Sequence, residues 1–218
     1  MMQAAVQTNP ALVPGVWRGR QQADQRGEPT EFRALDRLLP GGGLPVGAVT
    51  EILCERNGIG EFGLLMPCIS RLTQQGRRVA LVAPPYVPYA HGLASQGVRL
   101  KQLVLLSPES SSDALWAAEQ TLRSNSFGMV IAWPTRVGDR DLRRLQLAAE
   151  TSNSVAVLYR PLRMAEQTSP AALRIAVDVA QGTLKLHIIK NRGGQPTDLL
   201  LPAAQPFSRF RETGTGWA

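Results

Sequence analysis

The chain has 218 residues, of which 44% are hydrophobic, and this suits one globular domain of common size with tails at its ends. No stretch approaches the run of about 18 apolar residues that a membrane helix needs, and the N-terminus lacks the pattern of a secretory signal, so we expect a cytoplasmic protein without membrane contact. The formal charge of +7, with 21 arginines among 24 basic residues, permits contact with nucleic acid or an acidic partner but does not determine the fold.

Composition divides the chain into three segments. The first 30 residues are rich in Gln, Gly, Pro and Arg, so we predict a flexible N-terminal arm over 1–30. Within it, Trp17 and Arg18 could dock on a partner or pack back on the core. Residues 31–202 form the predicted core domain, and 203–218 form a C-terminal tail.

Apolar strands and amphipathic helices alternate along the predicted core. Helices are predicted over 31–39, 63–76, 89–97, 111–125 and 138–152, and strands over 48–53, 77–85, 102–108, 128–134 and 154–161. Near-continuous apolar strands with helices between them indicate an α/β fold, with a mainly parallel sheet covered by helices on both faces. The period-two pattern of 173–202, with a turn at Gln181–Gly182, predicts an antiparallel meander that finishes the sheet.

Residues 51–65, EILCERNGIGEFGLL, have the order of strand, glycine-containing turn and helix with which nucleotide-binding proteins hold phosphate. The working loop, GxxxxGK[ST], supplies backbone N–H groups, a lysine for the phosphates and a hydroxyl for magnesium. Here Cys54, Glu61 and Phe62 stand in place of the first glycine, the lysine and the hydroxyl residue. A carboxylate repels a triphosphate, so we predict a degenerate loop with no cofactor. Its residues are Cys54, Asn57, Gly58, Gly60, Glu61 and Phe62.

Other parts of a catalytic site are missing as well. No Asp or Glu occurs from Phe62 to Pro108, and the strand 128–134 carries Trp133 where an Asp that organises magnesium would be expected. Ser111 or Ser112 is the predicted N-cap of the next helix, with no His or Asp arranged to activate either hydroxyl. We therefore expect a protein that is not an enzyme.

The cysteines and histidines do not form a metal-binding pattern. Cys54 and Cys68 are not part of a CxxC pair, and His91 and His187 lie far from them in sequence. A structural disulfide is not expected in a reducing compartment, so both cysteines are interpreted as small buried residues. We predict no metal site.

From about Ala34 to Leu201 the chain resembles the core of the RecA recombinase. The segments that carry the resemblance are 34–53 (ALDRLLPGGGLPVGAVTEIL), 93–134 and 173–196. The resemblance implies a RecA-like three-layer fold, with a mainly parallel sheet covered by helices and a C-terminal antiparallel meander.

Within the RecA/SulA-like superfamily, the chain resembles the ImuA family of accessory proteins, which are encoded with a mutagenic translesion polymerase. The long lead-in 38–52 and the complete meander favour ImuA over the SulA-type inhibitors, which share the block 122–134. This implies a non-catalytic accessory protein of SOS-induced mutagenic translesion synthesis after DNA damage. Its implied partners are RecA and the polymerase-like, ImuB-type subunit of the mutasome, which it would recruit or regulate.

A SulA-type SOS cell-division inhibitor is the alternative. Such a protein would bind the tubulin-like division protein and block its GTP-driven assembly.

The resemblance also points to the hairpin KNRGG, residues 190–194, as a partner interface. In RecA-like oligomers, paired basic residues on this hairpin reach the ATP phosphates of a neighbouring protomer. Lys190 and Arg192 match those positions, with Asn191 between them. The alternative is a solvated turn with basic residues. An intact sheet edge beside this hairpin leaves self-association open.

Arg140, Arg143 and Arg144 lie on the predicted outer side of helix 138–152, where they could contact DNA or an acidic partner, with Arg160 and Arg163 adding to them. An ordinary charged helix face is the alternative. Because aromatic residues for stacking on bases are sparse, we expect at most weak DNA binding.

Three further residues or segments have a predicted place in the core. The segment 102–106, QLVLL, fits a peptide that binds the sliding clamp, but it also fits a buried central strand, which we favour. Trp116 and His187 are predicted core residues.

Overall fold

The computed structural model describes residues 26–202. Trp17, Arg18 and the predicted tail 203–218 therefore lie outside the described residues, as do residues 1–25 of the predicted arm. The division of the chain into arm, core and tail stays a prediction.

The strands form one eight-stranded sheet and one two-stranded sheet. In chain order the strands are β1 (Gly27–Glu28), β2 (Leu44–Pro45), β3 (Val49–Cys54), β4 (Arg78–Val82), β5 (Leu103–Leu106), β6 (Phe127–Ala132), β7 (Val155–Pro161), β8 (Leu173–Ala180), β9 (Thr183–Asn191) and β10 (Thr197–Pro202). The large sheet has the order β10-β9-β8-β3-β7-β6-β4-β5, and β1 pairs with β2 in the small one. Pairing is parallel from β8 to β5 and antiparallel from β8 to β10. The predicted sheet, with its antiparallel meander, is confirmed.

Helices cover both faces of the large sheet, as predicted. They are α1 (Arg33–Asp36), α2 (Met66–Gln74), α3 (Ala90–Ser95), α4 (Ser111–Arg123) and α5 (Asp139–Glu150). The helices α1, α2 and α3 contribute to one apolar cluster, and α4 and α5 to a second. Residues of β6 alternate between the clusters, because Met129 and Ile131 join the first while Val130 and Ala132 join the second.

The turn of the meander also agrees with the sequence. Gln181 and Gly182 join β8 to β9 directly, with Ala180 opposite Thr183. Both residues have positive φ, 49° and 72°, which is the backbone that a tight two-residue hairpin needs.

A buried carboxylate ties the three central strands together. Glu51 of β3 is 0% exposed and lies between Arg160 of β7 and Arg174 of β8. Arg160 Nη1 is 2.5 Å from Glu51 Oε1, and Arg174 Nε is 2.6 Å from Oε2. Each carboxylate oxygen therefore binds one guanidinium group. Arg160 is buried in this cluster, so its predicted contribution to DNA contact is wrong.

Arg174 also holds the crossover that leads into its own strand. Its guanidinium donates to the carbonyl oxygens of Met164, Ala165 and Gln167, at 2.6 to 3.2 Å. These carbonyls belong to the 3-10 segment Leu162–Glu166 and its end, where backbone acceptors have no regular partner. The Arg174 side chain thus donates hydrogen bonds both to the Glu51 carboxylate and to the backbone of the connection between β7 and β8.

Trp116 and His187 are not core residues, although the sequence predicts that they are. Trp116 is 60% exposed, because α4 buries Ala114, Ala118 and Leu122 and so turns position 116 outward. His187 is exposed, since β9 buries the alternate residues on its other face, and its Nδ1 lies 2.5 Å from Asp198 Oδ1.

Segment 102–106 is not a central strand. Its strand β5 lies at one edge of the large sheet, and Leu105 is 45% exposed. The predicted N-cap is also wrong by one or two residues, because Ser110 accepts the N–H of Asp113 at 3.1 Å.

We predict that Glu51→Ala lowers the free energy of unfolding by about 3–5 kcal/mol, because Arg160 and Arg174 then stay buried without a counter-charge. Urea unfolding monitored by circular dichroism measures the change. Glu55→Ala is the matched control, since Glu55 is an exposed carboxylate just past the end of β3. Equal stability of the two variants would contradict a stabilising role for the cluster.

Candidate functional site

The degenerate loop is closed by its own carboxylate. After β3 the chain turns through Gly58 and Gly60, which have φ values of 84° and 104°, a backbone that favours glycine. Glu61 then begins a 3-10 turn, Glu61–Leu64, that leads into α2. Its Oε1 accepts the Gly58 N–H at 3.0 Å, and the residue is 4% exposed. A backbone donor of the kind that would face a phosphate is therefore occupied from within the chain.

An aromatic stack fills the adjoining space at the carboxyl ends of the strands. The rings of Trp133 and Tyr159 are parallel within 3° with centroids 4.9 Å apart, and Phe62 packs on Trp133 at 5.9 Å. The Tyr159 hydroxyl donates to the Glu61 carbonyl at 3.5 Å. Burial, followed by the charge of Glu61, raises the pKa of Tyr159 well above its usual value, so the hydroxyl stays a donor.

An apolar cleft of about 370 Å³ opens beside this stack. We call this cavity the apolar cleft. It lies between the loop, the start of α2, the segment 84–89 (PPYVPY) and α3. Its lining residues are Gly58, Gly60, Glu61, Phe62, Gly63, Met66, Leu81, Pro84, Pro85, Tyr86, Val87, Pro88, Tyr89, Gly92, Leu93, Gln96 and Trp133.

The rim of the apolar cleft exposes large apolar side chains. Tyr86 is 65% exposed, Val87 88% and Tyr89 65%. Three prolines in 84–89 restrict the backbone that carries them. The strand β4 ends at Val82, short of the predicted 77–85, because Ala83 has a left-handed backbone (φ 51°) and the prolines after it have no N–H for the ladder. Sequence reasoning missed this rim. The signal available was the alternation of prolines with aromatic residues directly after a buried strand.

The hairpin 190–194 lies at the opposite end of the sheet. Asn191 pairs with Leu173 at the start of β8, which is the amino end of the parallel strands. Lys190 Nζ donates to the Ser169 carbonyl at 2.7 Å, and Arg192 Nη2 to the Pro170 carbonyl at 3.2 Å.

Asn191 itself is buried and donates to the Leu38 carbonyl at 3.0 Å. Burial, with the charges of Arg192 and Arg174, lowers the pKa of Lys190. These contacts tie the hairpin to its own chain, and its role as an interface stays a prediction.

The predicted arginine face of α5 lies in the other helix layer from the cleft. Arg140 and Arg143 are exposed, as the sequence indicates. Arg144 binds Glu119 of α4, with Nη2 2.5 Å from Oε2. Contact of these arginines with DNA or an acidic partner stays a prediction.

No helix within residues 26–202 is long and apolar enough to span a membrane. The same residues contain no group of three or more His, Cys, Asp or Glu side chains that could hold a metal ion.

We predict that Gly58→Ala destabilises the protein by about 1 kcal/mol or more. The new Cβ would lie 3.0 Å from Tyr86 Cε2, on a backbone with φ of 84°. Gly63→Ala is the matched control, because nothing lies within 4 Å of a Cβ at that position and its φ is not positive. Urea unfolding compares the two variants, and equal stability would contradict the predicted strain.

We also predict slow alkylation of the native thiols at pH 8. Both cysteines are free and buried, as the sequence predicts. Burial, then the charge of Glu61, raises the pKa of Cys54 to about 11, and burial raises that of Cys68 to about 12. A raised pKa lowers the thiolate fraction at pH 8, by about 100-fold for two pKa units. Iodoacetamide labelling followed by mass spectrometry, with the urea-unfolded chain for comparison, checks this; equally fast native labelling of Cys54 would contradict it.

A family model described as "Cell division inhibitor SulA" matches residues 47–156, just over half of the chain. Curated proteins with that name are also similar. The one from Photorhabdus laumondii is 27% identical over 126 residues, which are 58% of this chain and 68% of the relative. The one from Serratia proteamaculans is 26% identical over 117 residues (54% and 70%), and the one from Edwardsiella piscicida 28% over 98 residues (45% and 58%).

These matches correct the function and partners expected from the sequence. An accessory role in translesion synthesis, with RecA and an ImuB-type subunit as partners, is wrong, because the matching family and relatives are cell division inhibitors. The features that favoured ImuA, the lead-in 38–52 and the meander, lie largely outside 47–156. The apolar cleft, from Gly58 to Trp133, lies wholly within it. The chain therefore belongs to the SulA family of cell division inhibitors.

Proposed function

We propose that this protein is an SOS-linked, non-catalytic inhibitor of cell division. It binds the tubulin-like division protein in the cytoplasm and blocks its GTP-driven assembly. The observation that carries the proposal is the apolar cleft with its exposed rim, which lies inside the segment that matches the family.

The rim has the composition of a protein-binding surface. Tyr86, Val87 and Tyr89 place two aromatic rings and one branched side chain in solvent within four residues. Aromatic residues are enriched at the centres of interfaces, where they supply large contact area at low cost in conformational entropy. The prolines of 84–89 restrict the segment before binding, which reduces the entropy lost on association.

The same geometry supports a role without nucleotide chemistry. Glu61 already accepts the Gly58 N–H, and Phe62 and Trp133 fill space beside the loop with apolar rings. A triphosphate would meet a carboxylate and a hydrophobic wall. The place where a nucleotide site would lie therefore has an apolar surface.

The proposal includes a RecA-like arrangement of the core, taken as residues 31–202. Its support is the strand order, in which β3 lies at the centre between β7 and β8 and leads directly into the degenerate loop. In such a sheet, ligands bind at the carboxyl ends of the strands. That end carries the apolar cleft.

We predict that the double variant Tyr86→Ala/Val87→Ala loses most of its inhibitory activity. Overproduction of the wild-type chain should give filamentous cells, and the purified protein should suppress GTP-dependent light scattering by the division protein. The double variant should need about tenfold or more protein for the same effect, because two exposed contact side chains are truncated.

Trp116→Ala is the matched control for this experiment. Trp116 is 60% exposed, like Tyr86, but lies on α4 in the opposite helix layer. Its removal should leave inhibition unchanged. Inhibition by the double variant at wild-type strength would show that the cleft is not the contact surface. Normal cell length and unaffected assembly with the wild-type chain would refute the proposed function itself.

A further inference from the structure

Four acidic residues are buried among residues 26–202, and three of them have the same kind of partner. Glu28 lies within 2.8 Å of Arg71 and 2.6 Å of Arg77. Glu119 binds Arg123 at 3.0 Å and Arg144 at 2.5 Å. Glu51 binds two arginines as described above. This fold therefore neutralises a buried carboxylate with a pair of arginines.

Glu61 is the exception. It is 4% exposed, comparable with Glu28 at 5% and Glu119 at 6%, yet no basic side chain among the described residues forms an ion pair with it. Its Oε1 accepts the Gly58 N–H, whereas its Oε2 is buried without a hydrogen-bond partner in this part of the chain. A buried carboxylate oxygen without a partner is costly, so its presence calls for an explanation.

A second buried polar atom without a partner belongs to another residue that lines the cleft. Trp133 lines the apolar cleft together with Glu61, and its indole Nε1 has no hydrogen-bond partner among residues 26–202. The remaining walls include Phe62, Tyr86 and Tyr89. Aromatic faces attract cations, and apolar walls accommodate the methylene groups of a long basic side chain.

We propose that the apolar cleft receives an arginine or lysine side chain of the partner protein, whose cationic group pairs with Glu61 Oε2. The charge complementarity is specific, because a cation is what every other buried carboxylate of the described chain possesses and Glu61 lacks. Arginine fits best, since its guanidinium can bind the carboxylate and stack on an aromatic ring at once. The segment that carries this anchor has apolar neighbours, which contact the rim at Tyr86 and Val87.

This inference rests on the proposed function for the identity of the partner, the tubulin-like division protein. It adds the chemistry that the partner presents. The carboxylate that stands in the place of the phosphate-binding lysine thus reverses the charge preference of the site, from an anion to a cation.

The first test compares full-length wild-type protein with Glu61→Gln and Glu55→Gln in titrations against the purified division protein. Glutamine keeps the size of the side chain and an oxygen for the Gly58 N–H, so it removes the charge with little change in shape. We expect Glu61→Gln to weaken binding roughly 10- to 100-fold. Glu55→Gln, an exposed carboxylate of the same turn, should change affinity less than about twofold.

Thermal unfolding distinguishes an anchor site from a structural role. If Glu61 serves a partner, Glu61→Gln removes an unpaired buried charge from the free protein, so its melting temperature should stay the same or rise. A melting temperature that falls together with the affinity would indicate a structural role and would overturn the proposal. If residues 1–25 of this chain filled the cleft instead, Glu61→Gln would free the site and binding of the partner would strengthen, which would also overturn it.

The second test does not depend on the division protein. A leucine–arginine–leucine peptide with blocked ends is titrated into labelled full-length protein, and the NMR signal of the Trp133 indole N–H is followed. The control peptide carries citrulline, the neutral isostere of arginine. We expect the Trp133 signal of the wild-type protein to shift saturably with the arginine peptide and not with the citrulline peptide. The Glu61→Gln variant should show no shift with either peptide.

The two tests separate the inference from the proposed function. A charge-dependent shift with the peptide, without binding of the division protein, would leave the anchor site standing and refute the proposed partner. Binding of the division protein that is unaffected by Glu61→Gln, with equal shifts from both peptides, would refute the anchor site and leave the proposed function standing.

Discussion

The cluster of Glu51 with Arg160 and Arg174 joins the parts of the sheet on which the rest of the structure depends. It links β7, β3 and β8 across the centre, where β3 is buried on both faces. Its three charged groups stabilise one another, because each would be costly to bury without a counter-charge. The carboxyl end of β3, which begins the degenerate loop, is thereby fixed relative to its neighbours. The apolar cleft lies beside that loop.

Glu61 stands where the sequence pattern of a phosphate-binding loop has its lysine, so the expected charge is reversed there. A lysine there would extend toward an anion, but Glu61 folds back onto the Gly58 N–H. Phe62, Trp133 and Tyr159 then fill the neighbouring space with stacked rings. The cleft beside these rings is a concave apolar surface at the end of the sheet that α/β proteins commonly use for binding.

Periodicity in the sequence predicted the strands, the helices and their alternation, because burial on one or both faces leaves a direct pattern. It failed where the burial of a side chain depends on an element that is distant in the sequence. Position 116 fits a helical pattern and position 187 a strand pattern, but neither pattern tells which face another layer covers. Likewise, the sequence of 102–106 is apolar enough for a central strand, and only the strand order places it at an edge.

The substitutions at Glu61 and Phe62 of the loop were visible in the sequence, but the cleft was not. Its walls come from segments near residues 58, 86 and 133, which lie far apart in the sequence. The sequence also does not tell which buried carboxylate lacks an arginine partner. The resemblance to RecA-like accessory proteins drew on 38–52 and on the meander, which position the sheet. Most of these residues lie outside 47–156, the segment that matches the division inhibitors.

Gly58 contacts two residues that line the cleft, Glu61 and Tyr86. Its N–H donates to Glu61, while the ring of Tyr86 lies against its Cα, where a Cβ would be 3.0 Å from Cε2. One residue therefore contacts both side chains. We therefore expect substitutions at Tyr86 and Glu61 to have non-additive effects on the free energy of unfolding, because both side chains contact Gly58.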